Sequence, residues 1–218
     1  MSTLSFQNGG PQIRVGKILC LGRNYAEHAK EMKAEVPKAP VVFLKPSTAI
    51  IHDGDTVVIP DISRDMHHEV ELVVLIGTGG KNIPAASAMD HVAGYAVGLD
   101  MTLRDVQAEA KKSGLPWTVA KGFDTSAPVS EIVNKAAVPD PHALSLTLSV
   151  NGSIRQQGHT GAMLFRISDI IAYLSRLFTL EPGDLIFTGT PEGVGPVTHG
   201  DTLEASLGTL ARLRVRIS

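Results

Sequence analysis

The run His67-His68-Glu69-Val70-Glu71 puts two acids, two residues apart, at the head of an apolar stretch that continues through Val73 and Leu75. If this is a strand, both carboxylates point to one face. An ionised carboxylate among apolar neighbours is costly unless paired, and two on one face repel each other. A bound cation answers both costs; a solvent-exposed strand end is the plainer alternative. Asp100 closes a second apolar run, Gly94-Tyr95-Ala96-Val97-Gly98-Leu99, and is either a third ligand or the N-cap of the next helix, which carries Arg104 and Gln107. Glu69, Glu71 and Asp100 together form an oxygen-only set suited to a hard cation, Mg²⁺ above all, with Mn²⁺ or Ca²⁺ acceptable. Zinc is disfavoured, since no second imidazole or thiolate stands at a zinc spacing.

His28 and Glu31 lie three apart in a short helical pattern and would share one face. A carboxylate that orients an imidazole makes a general base near neutral pH, although a solvated polar helix has the same pattern. Lys121 interrupts an apolar stretch, and Thr190 sits in the Gly-rich turn Thr188-Gly189-Thr190-Pro191-Glu192-Gly193. An ammonium, a hydroxyl and turn amides all bind carboxylates, and all are equally common as structural parts. No nucleotide-binding glycine motif and no G-x-S-x-G elbow are present.

Short Val- and Ile-rich runs between Gly, Pro and Asp predict strands at 17–22, 41–45, 56–60, 69–77, 92–101, 143–152 and 184–189, followed by DTLEASL and ARLRVRIS, with a hairpin turn at Asn151-Gly152. Helical spacing appears over 24–33, 103–113 and 168–178, the last with Ser168 at the N-cap position. Helices do not alternate with strands, so the fold class is α+β, mainly β, and neither doubly wound nor a TIM barrel. Residues 1–16 read as a loose N-terminal arm and 17–218 as one catalytic domain.

The 218 residues carry 20 basic and 22 acidic side chains, a net charge of −2, without a basic stripe, so nucleic acid is not an expected partner. Cys20 is the sole cysteine, and neither a leader nor a membrane span is visible. These features fit a cytoplasmic protein acting on a small molecule.

The segments GRNYAEHAKEM, FLKP, HHEVELVVLIG, GYAVGLDMTLRDVQ, WTVAKGFDTSAPV and PGDLIFTGTPEGVG occur in an order similar to that of the fumarylacetoacetate hydrolase family, in particular its small single-domain acylpyruvases and oxaloacetate decarboxylases. The resemblance runs from Lys17 to the C-terminus. It implies a mixed β-roll with a few peripheral helices, a homodimer, metal ligands at Glu69, Glu71 and Asp100, and a His28–Glu31 catalytic pair with Lys121. It also implies substrate contacts at Arg23, Lys45, Arg104, Gln107 and Thr190. The expected activity is Mg²⁺-dependent hydrolysis of acylpyruvates such as fumarylpyruvate or acetylpyruvate, giving pyruvate and a carboxylate. The alternative at the same site is oxaloacetate decarboxylation or keto–enol tautomerisation. A dicarboxylate-binding module without catalysis is the remaining reading, against which the His28, Glu31 and Lys121 set speaks, because binding needs no base.

Overall fold

A computed structural model describes residues 2–32 and 35–218. Its centre is a six-stranded mixed sheet in the order Val133–Asn134, Val92–Leu99, Val70–Ile76, Leu185–Phe187, Ile18–Gly22 and Val41–Lys45. All neighbours are antiparallel except Leu185–Phe187 and Ile18–Gly22, which run parallel. Every residue of Val70–Ile76 is buried. Period-two alternation explains how: Leu72 and Val74 join one apolar cluster, while Val73 and Leu75 join the other on the opposite face.

On the Leu72 face the first cluster includes Leu146, Leu148, Leu203 and Leu213, from a second sheet. That sheet has five strands, Ser153–His159, Ser145–Val150, Thr202–Leu207, Ala211–Ile217 and Thr56–Val57, antiparallel apart from the last pair. A three-stranded sheet joins Thr102–Leu103, Met66–His68 and Gly195–Val197. The α-helices are α1, Ala26–Glu31; α2, Arg104–Lys112; α3, Thr118–Lys121; and α4, Ile167–Leu177. This is the mainly β, roll-like architecture with few helices that the sequence predicts.

Several boundaries differ from expectation. The 24–33 pattern yields only α1, and Lys33 lies outside the described residues. Ser168 is not the N-cap of α4: Arg166 holds that place without a side-chain cap, and Asp169 in the first turn faces the positive end of the helix. The polar strand Ser153–His159 escapes apolar-run reading, although Asn151 and Gly152, both with positive φ, form the predicted hairpin turn. The N-terminal arm is not loose. Thr3–Ser5 pairs with Gln12–Arg14, Leu4 is buried in the second cluster, and the Gln7 side chain donates to the Leu210 carbonyl at 2.9 Å.

Gly98 lies opposite Glu71 across the central strand pair, where an added Cβ would stand 2.6 Å from Val73 Cγ2 and 2.9 Å from the Phe187 ring. Overpacking of a filled sheet face costs about 1–3 kcal/mol. Gly98→Ala is therefore expected to lower the melting temperature by several degrees, as calorimetry would read.

Candidate active site

Glu69, Glu71 and Asp100 each offer an oxygen within 4.8 Å of the others, and all three side chains are buried. Glu69 sits in the break between Met66–His68 and Val70–Ile76, and the Asp100 amide donates to the Glu69 carbonyl at 2.9 Å. The exposed-strand-end alternative therefore fails. So does the N-cap alternative for Asp100, because α2 starts at Arg104 with Leu103 at its cap position. Asp105 in the first turn of α2 accepts from the Val106 amide instead.

Cations close around two of the acids. Lys121 at the end of α3 donates to Glu69 Oε2 at 2.9 Å, Asp100 Oδ2 at 2.7 Å and Thr102 Oγ1 at 2.6 Å. Arg104 Nη2 donates to Glu69 Oε1 at 2.6 Å, and its Nη1 donates to Gln107 at 2.9 Å. Lys45 Nζ lies 2.9 Å from Asp100 Oδ1 but spends its hydrogen bonds on the Met101 and Lys121 carbonyls, so Oδ1 remains without one. Among the described residues Glu71 has no cationic partner, and it accepts from the Gly189 amide at 2.7 Å.

The electrostatics divide accordingly. Burial pushes the Glu69 carboxyl up, but Lys121 and Arg104 outweigh it and hold the group well below the ordinary carboxylate range. Burial first, then Asp100 and Glu69, drive Glu71 well above that range. An oxygen-only trio with one carboxylate lacking a cation and one buried oxygen lacking a hydrogen bond fits a hard divalent ion.

His28 Nδ1 lies 3.2 Å from Glu31 Oε2, and both Glu31 oxygens accept from the Gly193 amide at 3.1 and 3.2 Å. That contact assigns the proton to Nδ1 and leaves Nε2 as the basic nitrogen. Asn24, fully buried, positions the start of α1: its Nδ2 donates to the Thr188 carbonyl at 2.8 Å and its Oδ1 accepts from the Phe165 amide at 2.7 Å. Arg23, just before it, takes φ 61°, a conformation that non-glycine residues adopt under constraint.

A cleft of about 340 Å³ brings together Arg23, His28, Glu69, Arg104, Gln107, Lys121 and Thr190, walled by Phe43 and Trp117. Two expectations need correction. Lys45 does not line this cleft; it is buried and faces Asp100, so it balances a carboxylate rather than meeting substrate. The Gly-rich turn receives the protein's own anions, Glu71 on Gly189 and Glu31 on Gly193, while the Thr190 hydroxyl donates to the Val70 carbonyl at 2.8 Å.

Sequence reasoning also missed Gln156. Fully buried on Ser153–His159, its Oε1 accepts from the Val70 amide at 3.0 Å and lies 2.9 Å from His68 Nδ1. Its Nε2 donates to Thr190 Oγ1 at 2.8 Å and the Pro191 carbonyl at 2.9 Å. A polar residue in a polar strand carries no signal of this until the strand is placed. Gln156→Leu would orphan several buried polar groups at about 1–3 kcal/mol each. A stability loss of about 3 kcal/mol or more is expected in chemical denaturation.

The family model for the fumarylacetoacetate (FAA) hydrolase C-terminal region matches residues 17–218. The chain is 56% identical over 200 residues, 92% of its length and 90% of the relative's, to "Oxaloacetate tautomerase FAHD1, mitochondrial" of Mus musculus. It is similar in structure to the fumarylpyruvate hydrolase of Pseudomonas aeruginosa solved with Mn²⁺ and pyruvate, at TM-score 0.96 and 38% identity, covering 99% of this chain and 95% of that one. It is also similar to 5-carboxymethyl-2-hydroxymuconate delta-isomerase of Mycobacterium smegmatis, at TM-score 0.84 and 39% identity, covering 94% and 79%. The chain therefore belongs to the fumarylacetoacetate hydrolase family.

Proposed function

We propose that this protein is a divalent-metal-dependent tautomerase interconverting the keto and enol forms of oxaloacetate. The observation that carries the reading is one cleft lined both by His28, whose Nε2 is left basic, and by Glu69, a member of the buried carboxylate trio fit for a hard cation. The 56% identity to a relative named for that reaction supports it over acylpyruvate hydrolysis, the first expectation. Tautomerisation moves one proton between C3 and O2 and requires no attacking water.

A divalent ion on Glu69, Glu71 and Asp100 would supply Lewis acidity at the 2-oxo acid end of the substrate. His28 accepts the C3 proton at Nε2 and, as imidazolium, returns it to O2, yielding the enol; the reverse sequence yields the ketone. Glu31, anchored by the Gly193 amide, keeps the ring in the working tautomer and stabilises the imidazolium. Lys121 and Arg104 balance Glu69, so charge developing on O2 meets a neutralised floor. Phe43 and Trp117 screen one side from water.

Hydrolysis of a longer acylpyruvate is the second reading, favoured by a cleft volume larger than a four-carbon acid fills and by the fumarylpyruvate hydrolase likeness. A panel of enol-oxaloacetate, fumarylpyruvate and acetylpyruvate, each with Mg²⁺ and with EDTA, separates the two. Accelerated ketonisation that EDTA abolishes is the expected result; cleavage of fumarylpyruvate without accelerated ketonisation would replace the first reading by the second.

Two variants test the assigned roles. Glu71→Gln is expected to weaken Mn²⁺ binding by about tenfold or more, followed by electron paramagnetic resonance, and to remove turnover while circular dichroism stays native. His28→Ala is expected to slow ketonisation by about 10²-fold or more while Mn²⁺ binding is retained. Unchanged turnover in His28→Ala would remove the base from the scheme.

A further inference from the structure

We propose that Lys111, seated on the Trp117 indole at the rim of the cleft, recognises the second carboxylate of a dicarboxylic 2-oxo acid and so selects dianionic over monoanionic ligands. This rests on reading the cleft as a 2-oxo acid site.

The first support is placement. Lys111 follows Arg104 and Gln107 by seven and four residues on α2, so the three share a face, and all three line the cleft. Its Nζ stands 5.1 Å from the Trp117 ring centroid. Trp117 packs on Phe43 at 6.0 Å between centroids, and Phe43 in turn lies 4.9 Å from Lys121 Nζ. One aromatic wall thus runs from the floor carboxylates, where Lys121 is committed, to Lys111 at the rim, which suits a ligand whose 2-oxo acid end lies at the floor and whose second anionic group reaches the rim.

The second support is charge. Lys45, Lys121 and Arg104, all gathered on Glu69 and Asp100, equal the three floor carboxylates in number, so a divalent ion would add positive charge that a monocarboxylate does not cancel. At the rim, Arg23 and Lys111 face a single acid among the described residues, the exposed Glu35. Among the described residues the Lys111 ammonium makes one long hydrogen bond, at 3.5 Å to Gln107 Oε1, and has donors to spare. Lys30 on α1, by contrast, is paired with Glu27 at 3.0 Å. Partial burial, and then the neighbouring cations Arg104 and Arg23, draw the Lys111 pKa down.

The test uses Mg²⁺-loaded protein and two probes in calorimetric titration. 3,3-Difluoro-oxaloacetate keeps both carboxylates and has no C3 hydrogen to lose; pyruvate has no second carboxylate. Lys111→Met keeps an unbranched stem over Trp117 without the charge. It is expected to weaken difluoro-oxaloacetate by about tenfold or more, as for loss of a charged hydrogen bond, and to leave pyruvate binding nearly unchanged. Lys111→Arg should restore most of the difference. Equal weakening of both probes, or of neither, overturns the proposal. If the split appears but wild-type protein does not accelerate ketonisation, Lys111 keeps its role and the tautomerase reading falls instead.

Discussion

Holding three carboxylates within 4.8 Å of one another in a buried floor is the constraint on which the rest of the site depends. Unaided, that arrangement costs desolvation and mutual repulsion. The chain meets the cost with Lys121 and Arg104 on Glu69, Lys121 and Lys45 toward Asp100, and a backbone amide on Glu71. Those partners come from separate parts of the chain, so the charge balance of the floor is also a set of long-range tethers. Under the proposed function a divalent ion would complete the balance at Glu71, which accepts from the Gly189 amide.

The Gly-rich turn after Leu185–Phe187 joins the two halves of the chemistry. Its Gly189 amide holds Glu71, and its Gly193 amide holds Glu31 behind His28. Gly189 adopts φ +95°, and a Cβ there would meet Asn24 Cβ at 2.7 Å, so glycine is needed both for the backbone and for the close approach of the α1 segment. Glu71 and the His28–Glu31 pair are thereby spaced by one short stretch of backbone. Gln156 reinforces it from the second sheet by bonding Thr190 and Pro191 of the turn and Val70 of the ligand-bearing strand.

Such a site is chemically general. Stabilising negative charge on the oxygen of a 2-oxo acid serves tautomerisation, isomerisation and carbon–carbon cleavage alike, and the relatives carry names from more than one of these classes. Under the proposed function, choice among them would fall to His28, to water access and to the residues at the rim of the cleft. In this chain the rim consists of Arg23 on a constrained backbone and Lys111 on an aromatic wall.

Local sequence carried the central relations: two-residue spacing sets Glu69 and Glu71 toward one side at the head of the strand Val70–Ile76, and the 28/31 spacing sets a histidine beside its carboxylate in a helical turn. Both relations are short-range, and backbone geometry enforces them wherever the segments lie. Tertiary structure alone decided which partners those charges meet. That Lys45 serves Asp100 rather than substrate, that the glycine turn binds internal carboxylates, and that Gln156 ties the turn to the strand are contacts between residues 34 to 162 positions apart. The docking of residues 2–16 is likewise long-range, since the arm buries Leu4 only against strands folded elsewhere. Helix ends were poorly legible for a related reason. In α1 and α4 no side chain caps the N-terminus, so packing rather than a local hydrogen bond sets where the helix begins.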